Sequence, residues 1–300
     1  MSELELLGPT ISQMLVAARL DPTLVCTLIA MAIDEDLDGG VDVTTVATVP
    51  ADQESILDFV ARKPGVVAGV PVAAAVFMMV CADADVSIDF ASNDGDEVEA
   101  GQLVLSVRSS THSLLQAERP ALNFLSHLSG IATLTHSWVE AIQGTGAAIR
   151  DTRKTTPGFR ALEKYAVRCG GGINHRMSLS DAALVKDNHV LAAGGVAEAF
   201  ALVRKNFPGI PVEVEVDSLD QLAAVVEAGA DLVLLDNFSL QQTREAVTMV
   251  GGRARLEASG GLSIDVAHDV AATGVDYLAV GALTHSAPVL DIGADLRQAD

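Results

Sequence analysis

The residues of this chain best suited to chemistry are cations gathered in one stretch. From Arg150 to Lys186 there are eight Lys or Arg (Arg150, Arg153, Lys154, Arg160, Lys164, Arg168, Arg176, Lys186) against three acids (Asp151, Glu163, Asp181), a local balance of +5 in a protein of formal charge −21. Salt confines a surface charge to a range of roughly 8 Å, so the acidic exterior does not cancel this patch. The cations sit in Asp151-Thr152-Arg153-Lys154-Thr155-Thr156-Pro157-Gly158, in Gly170-Gly171-Gly172-Ile173-Asn174-His175-Arg176 and in Val185-Lys186-Asp187-Asn188-His189. They alternate with Gly, Pro, Thr and Asn, the residues of turns and of backbone anion cradles, and do not line one helix face. Such a pocket holds a small polyanion and stabilises negative charge that develops in a reaction. Nucleic-acid-binding domains usually have a pI above about 9, whereas the pI here is about 4.5, so no nucleic-acid partner is expected.

The elements that must position these residues follow from a repeat. Val212–Val216, Leu232–Leu235, Ala254–Ala258 and Val275–Val280 read as strands, and the first three are followed by helices at Leu219–Ala228, Leu240–Val250 and Ile264–Ala272, with a repeat of 20 to 22 residues. Regular βα units imply a parallel sheet, closed as a barrel or open and doubly wound. Ala147–Arg150 and Ala182–Lys186 extend the series to six or seven strands, and the preferred form is an incomplete TIM-like α/β barrel. Polar groups follow each strand, where barrels place their sites: Arg153-Lys154, Lys186-Asp187, Glu215 and Asp217, Asp236-Asn237, Ser259-Gly260-Gly261 and Gly281-Ala282. The last two are glycine-rich and precede helices, an arrangement that binds phosphate on backbone N–H groups.

The first half is α+β, with extended segments at Ser55–Ala61, Val86–Phe90 and Leu103–Arg108 around the turn Asn93-Asp94-Gly95-Asp96. Gly95–Leu103 has the look of a biotinyl or lipoyl hairpin without the lysine for attachment, and reads as an ordinary hairpin. Thr111–Ile142 is a long helical region punctuated by Pro120 and Gly130. Arg119, just before Pro120, is placed at a helix start or kink, where a cation makes electrostatic sense only beside an anion. The expected domains are residues 1–130, joined by the C-terminal 282–300, and 131–281.

Hydrophobic residues make up 49% of the chain and charged ones 20%, enough for a buried core. Mean hydropathy is +0.35, yet the most apolar stretch, Val66–Ala82, is interrupted by Gly69 and Pro71 and falls short of the roughly 20 residues a membrane span needs. It reads as a strand end, a turn and a core helix opened by Pro71, so no membrane partner is expected. Glu3 and Glu5 at the start argue against a secretory signal. Cys26, Cys81 and Cys169 show no disulfide or zinc spacing, which points to reducing cytosol. Cys169 beside Arg168 could be a nucleophile, but a structural thiol is the preferred reading.

Glu118-Arg119-Pro120-Ala121-Leu122-Asn123, Leu128-Ser129-Gly130-Ile131-Ala132-Thr133 and the three basic motifs resemble the quinolinate phosphoribosyltransferase family, and the similarity runs from Asp42-Val43-Thr44-Thr45 to Gly281-Ala282-Leu283-Thr284-His285. The resemblance implies an N-terminal α/β sandwich, an incomplete barrel, and a homodimer or higher oligomer with shared sites. It implies the conversion of quinolinate and phosphoribosyl pyrophosphate (PRPP) to nicotinate mononucleotide, pyrophosphate and CO₂, with Mg²⁺ carried by PRPP. Matched by motif, Arg119 (from a neighbouring subunit), Thr152, Arg153, Lys154, His175, Arg176 and Lys186 form the basic pocket. Glu215 and Asp236 lie near ribose and metal, and Ser259, Gly260, Gly261, Gly281 and His285 at the phosphate end. Lys154, Lys186, Glu215 and Asp236 are the expected catalytic residues. Two departures stand out: Met177-Ser178-Leu179, where relatives commonly have Leu-Gly-Leu, and a C-terminus extended to Gln298-Ala299-Asp300. Lys186 favours the biosynthetic enzyme over a related molybdate-locus protein. Three rival functions are a nicotinate phosphoribosyltransferase, a Schiff-base aldolase using Lys186 and a regulatory anion-binding barrel.

Overall fold

The computed structural model describes residues 3–81 and 85–299, so Ala82, expected to end the apolar helix, and the terminal Asp300 lie outside the described residues. The chain forms two compact units, Met1–Leu134 with Ala161–Gly170 and Ala287–Asp300, and Thr135–Arg160 with Gly171–Ser286.

The first unit opens with helices α1 (Glu3–Leu6), α2 (Gly8–Ala17), α3 (Pro22–Leu37) and α4 (Val43–Thr48). The Asp21 carboxylate accepts from Thr23 N–H at the start of α3, and Asp42 caps α4 through the N–H groups of Thr44 and Thr45. The Asp-Val-Thr-Thr motif is therefore a helix cap. Strands β1 (Glu54–Ala61), β3 (Ser87–Phe90), β5 (Leu103–Ser110) and the C-terminal β12 (Ile292–Gln298) form an antiparallel sheet in the order β12-β1-β5-β3, while β2 (Gly65–Val66) pairs with β4 (Glu97–Val98). Strand β1 alternates burial with period two, placing Leu57, Phe59 and Ala61 in the core. Phe59 meets Phe77 of helix α5 (Val70–Val80) edge-to-face at 5.7 Å. Asp94 accepts from Val70 N–H at the α5 N-terminus and from the Tyr165 hydroxyl, so the Asn-Asp-Gly-Asp turn is a structural clamp. Of the extended C-terminus, Gln298 ends strand β12 opposite Ser55, and Ala299 follows the strand.

Helix α6 (Thr111–Ala141) is continuous. Pro120 removes one amide from it, but Leu114, Ala117, Ala121, Leu125 and Leu128 are fully buried, and that packing carries the helix through. Arg119 is thus in a helix interior and not at a helix start; the electrostatic argument from a helix terminus does not hold. Gly130 has a separate cause, since a Cβ there would stand 2.1 Å from the Pro288 carbonyl oxygen. Helix α7 (Arg160–Cys169) groups mostly with this unit and buries Lys164 completely.

The second unit is a parallel sheet of six strands, β6 (Ala148–Arg150), β7 (Ala183–Val185), β8 (Val212–Val216), β9 (Leu232–Asp236), β10 (Arg255–Ser259) and β11 (Tyr277–Ala279), in the order β6-β11-β10-β9-β8-β7. Helices α8 (Asp187–Ala193), α9 (Val196–Asn206), α10 (Leu219–Glu227), α11 (Leu240–Val250), α12 (Ile264–Ala271) and the short α13 (Ala282–His285) connect the strands or follow them. Strands β6 and β7 are opposite edges, so the barrel is incomplete. Among the described residues no single helix is long and apolar enough to cross a membrane.

Replacing Gly130 with Ala should cost about 3 kcal/mol of stability, because the clash is with backbone that cannot rotate away. Urea unfolding followed by circular dichroism measures it; a loss below about 0.5 kcal/mol would contradict the close approach.

Candidate active site

The first basic motif follows β6. Asp151 is fully buried and accepts from His175 N–H at 2.8 Å and from Asn174 Nδ2 at 2.5 Å, while Ile173 bridges to Arg150 as an added piece of parallel strand. The Asp-Thr-Arg-Lys and Gly-Gly-Gly-Ile-Asn-His-Arg motifs are therefore one structure. Register puts Val185 opposite Val214, so Lys186 follows next to Glu215, and Nζ meets Oε2 at 2.7 Å. The Lys186 amine is engaged as a hydrogen-bond donor, which disfavours a Schiff-base role. His189 Nδ1 accepts from Lys186 N–H, accounting for the Lys-Asp-Asn-His spacing as a helix entry.

After the central strand β9, Asn237 adopts φ +56° and its amide binds Asp236 at 2.9 Å. Gly260 must be glycine: its φ is +95°, and a Cβ would fall 2.2 Å from Asn237 Oδ1. Gly281 leaves room for Lys154 and His285, whose atoms would stand 3.1 and 3.3 Å from a Cβ. Thr284 donates to the Lys154 carbonyl at 2.8 Å and fixes that residue.

These ends enclose a cavity of about 460 Å³ lined by Thr152, Arg153, Lys154, His175, Arg176, Lys186, Glu215, Asp236, Glu257 and Ser259, with Leu184, Leu234 and Ala279. A second cavity of about 440 Å³ shares Thr152, Lys154, Asp236, Ser259 and Ala279 and adds Gly260, Gly261, Gly281 and His285. All the site residues expected in this unit thus fall in one continuous lining. Arg119 lies in a different hollow of about 410 Å³ in the first unit, with Asn123, Ser126 and Asp291. Its side chain is 63% exposed, and Glu118 is 3.8 Å away.

The eight clustered cations divide by role. Arg153, Lys154, Arg176 and Lys186 line the cavity. Arg160 binds Thr155 and the Met177 carbonyl, and Arg168 binds the Ala18 carbonyl, so these two are structural. The Nε atoms of Arg153 and Arg176 are buried without a hydrogen-bond partner, and burial together with Arg153 presses the Arg176 pKa below its usual value. Buried guanidinium donors without an acceptor mark the seat of an anion. Burial, with Asp94 adding to it, pushes the Cys169 thiol up to about 12, which weighs against a nucleophilic role.

Sequence reasoning missed the layer beneath. His175 Nε2 lies 2.7 Å from Glu213 Oε2 and 3.7 Å from Glu257 Oε1, and Arg150 binds Glu257 at 2.5 Å with Glu213 at 3.8 Å. The backbone N–H of Arg176 donates to His175 Nδ1 at 2.7 Å, which leaves the ring proton on Nε2, facing Glu213. His175 therefore meets protein groups with both ring nitrogens. The period-two alternation Val-Glu-Val-Glu-Val carried the signal for Glu213, since it puts Glu213 on the same face as Glu215.

Residues 42–129 match the family described as quinolinate phosphoribosyl transferase, N-terminal domain, and residues 131–295 match its C-terminal domain. A curated Mycobacterium leprae protein, nicotinate-nucleotide pyrophosphorylase [carboxylating], is 53% identical over 271 residues, 89% of this chain and 95% of that protein. The crystal structure of NadC from Streptococcus pyogenes superposes with a TM-score of 0.89 at 41% identity, covering 94% of this chain and 99% of that one. The nicotinate-nucleotide pyrophosphorylase of Francisella tularensis gives a TM-score of 0.86 at 37% identity, covering 92% and 96%.

Replacing Arg150 with Met should destabilise the protein by about 3 kcal/mol at neutral pH, because it strands buried carboxyls without their cation. The urea midpoint reads the loss, and an unchanged midpoint would show that the network does not depend on Arg150.

Proposed function

The chain belongs to the quinolinate phosphoribosyltransferase family, and from that premise we infer that it joins quinolinate to PRPP with loss of pyrophosphate and CO₂, giving nicotinate mononucleotide. The observation that carries this reading is the pair of buried, unpartnered Nε donors on Arg153 and Arg176, set in one cavity with Lys154 and Lys186. A planar dicarboxylate matches guanidinium forks, and a pyrophosphate matches point-charge ammonium groups.

In the first step the pyridine nitrogen forms a bond to ribose C1 as the bond from C1 to the pyrophosphate oxygen breaks, and the electron pair leaves with pyrophosphate. Positive charge develops at C1, where the carboxylates of Glu215 and Asp236 stabilise it. Lys154 and Lys186 offset the charge of the leaving group. The ribosylated nitrogen then accepts the electron density left when the adjacent carboxylate departs as CO₂, and the ring carbon takes a proton from solvent. Much of the acceleration comes from holding the two substrates in line. His175 acts through position: it binds the backbone of Arg176 and is held by Glu213. Gly260, Gly261, Gly281 and His285 take the 5′-phosphate in the second cavity.

Magnesium fits this chemistry as a companion of PRPP. Asp236 and Glu215 offer hard oxygen donors at the cavity, and the one three-residue cluster among the described residues with metal-ligand spacing lies in the buried layer instead. Bound there with pyrophosphate, the ion would supply charge neutralisation for the leaving group. Arg119 completes the pocket of a second subunit in a homodimer, which accounts for an exposed cation whose nearest carboxylate, Glu118, stands 3.8 Å away. Cys26, Cys81 and Cys169 form no disulfide, which suits the cytosol.

Release of CO₂ that requires both quinolinate and PRPP tests the assignment, and its absence from a folded protein would overturn it. In the same assay Lys186→Ala and Arg176→Ala should each lower kcat/KM by about 10²-fold or more; wild-type rates in folded variants would remove these residues from the pocket. Mixing inactive Arg119→Ala with inactive Lys186→Ala subunits should restore about a quarter of wild-type activity, since half the dimers are mixed and each has one intact site of two. No recovery after verified subunit exchange would mean that Arg119 serves its own chain.

A further inference from the structure

Glu257 lies at the floor of the larger cavity with no exposed surface, and nothing in the pocket's work on anions calls for an acid there. Charged and titratable groups face it from every element packed around it. From the end of β6 comes Arg150, 2.5 Å from Oε2, followed by the buried Asp151 just past the strand. His175 stands 3.7 Å from Oε1, Glu213 approaches from β8, and the register partners are Tyr277 on β11 and the apolar Leu234 on β9. Arg150 is the cation of this group, and Glu213 shares it at 3.8 Å. Glu257 Oε1 and Glu213 Oε1 are both buried with no hydrogen-bond donor. The His175 ring proton is directed to Glu213 Oε2, so it does not serve Glu257. An ionised Glu257 would leave a buried carboxylate oxygen without a donor, which is costly.

We propose that Glu257 is held as a neutral carboxylic acid at neutral pH, a positioning group that shares Arg150 with Glu213 and keeps a negative charge out from under the substrate carboxylates. The second half of this statement rests on the dianionic substrate inferred above. Burial, with Glu213 beside it, drives the Glu257 carboxyl well above the ordinary glutamate range, and Arg150 offsets this only in part. Ionisation at alkaline pH then places a charge below the carboxylates that Arg153 and Arg176 hold, and substrate binding weakens.

The His175, Glu213 and Glu257 donor atoms lie within 4.8 Å of one another, the spacing of a metal site. Two features oppose that reading. Arg150 already supplies the cation, and the Arg176 N–H on Nδ1 puts the ring proton on the Nε2 atom that a metal would need.

Glu257→Gln, which mimics the protonated acid, separates the two halves of the proposal. An unfolded chain ionises this carboxyl above its ordinary value of 4.5 while the folded protein keeps it protonated, so wild type loses stability relative to the variant as pH rises. Between pH 5 and pH 7.5 the melting temperature of the variant should gain about 5 °C on wild type. Parallel melting curves would overturn the neutral acid, whether or not the protein acts on quinolinate. In kinetics, KM for quinolinate should rise between pH 7 and pH 9 about fivefold more in wild type than in Glu257→Gln, with kcat moving less. Diverging stabilities with matching KM profiles would overturn the role beneath the substrate. If Glu257→Gln does not fold, Glu213→Gln takes its place: removing the repelling neighbour should shift the KM rise to lower pH, and an unshifted rise would overturn the proposal. Failure to turn over quinolinate at all sinks the functional reading alone, since melting still decides the protonation.

Discussion

The buried carboxylate of Asp151 ties together chain segments that no ladder of the parallel sheet connects. Strands β6 and β7 are opposite edges of the sheet, so the segment carrying His175 and Arg176 has no neighbouring strand on one side. Asp151 receives the N–H of His175 and the amide of Asn174, and Ile173 adds a short parallel bridge to Arg150. With these donors the carboxylate stays buried at tolerable cost, and without it the basic loop would have only the Ile173 bridge and side chains to hold it. Every cation of the pocket takes its position from this edge or from the register of β7 against β8.

Above and below that anchor the charges sort by solvation. The layer facing the cavity holds four cations and is incompletely paired, with buried Nε donors on Arg153 and Arg176 that meet no protein acceptor. The layer beneath is acidic, with Glu213, Glu257 and Asp151 gathered around Arg150. An anion pocket resting on acids looks contradictory on charge counting. It is coherent if Glu257 is neutral, because the guanidinium groups above then face one negative charge fewer.

Glycine and asparagine shape the phosphate end by exclusion. Gly260 and Asn237 both hold positive φ, and Asn237 occupies space that a side chain on Gly260 would need. The first unit uses the same economy of contact: Gly130 admits the Pro288 backbone against α6, and Asp94 fastens the start of α5 to Tyr165. In both units residues that looked like turn formers in isolation are points of close approach.

Strand period, the βα repeat and the glycine-rich strand ends determined the fold class from sequence, because each is a local consequence of backbone geometry. The strands at Val212–Val216 and Leu232–Asp236 fall where alternating or continuous apolar runs put them. The cation cluster likewise marked the site, since like charges crowd only where an anion compensates them. Tertiary structure alone decided which cations face the pocket: Arg150, Arg160, Lys164 and Arg168 belong to the same cluster, yet they serve buried pairs and carbonyls or lie in the core. It also decided that Arg119 lies within a continuous helix, because packing of Leu114, Ala117, Ala121 and Leu125 outweighs the amide lost at Pro120. Glu257 was invisible in sequence for the same physical reason. A carboxyl's charge depends on its desolvation and on neighbours far away in the chain, and those are fixed only when the strands that carry them come into register.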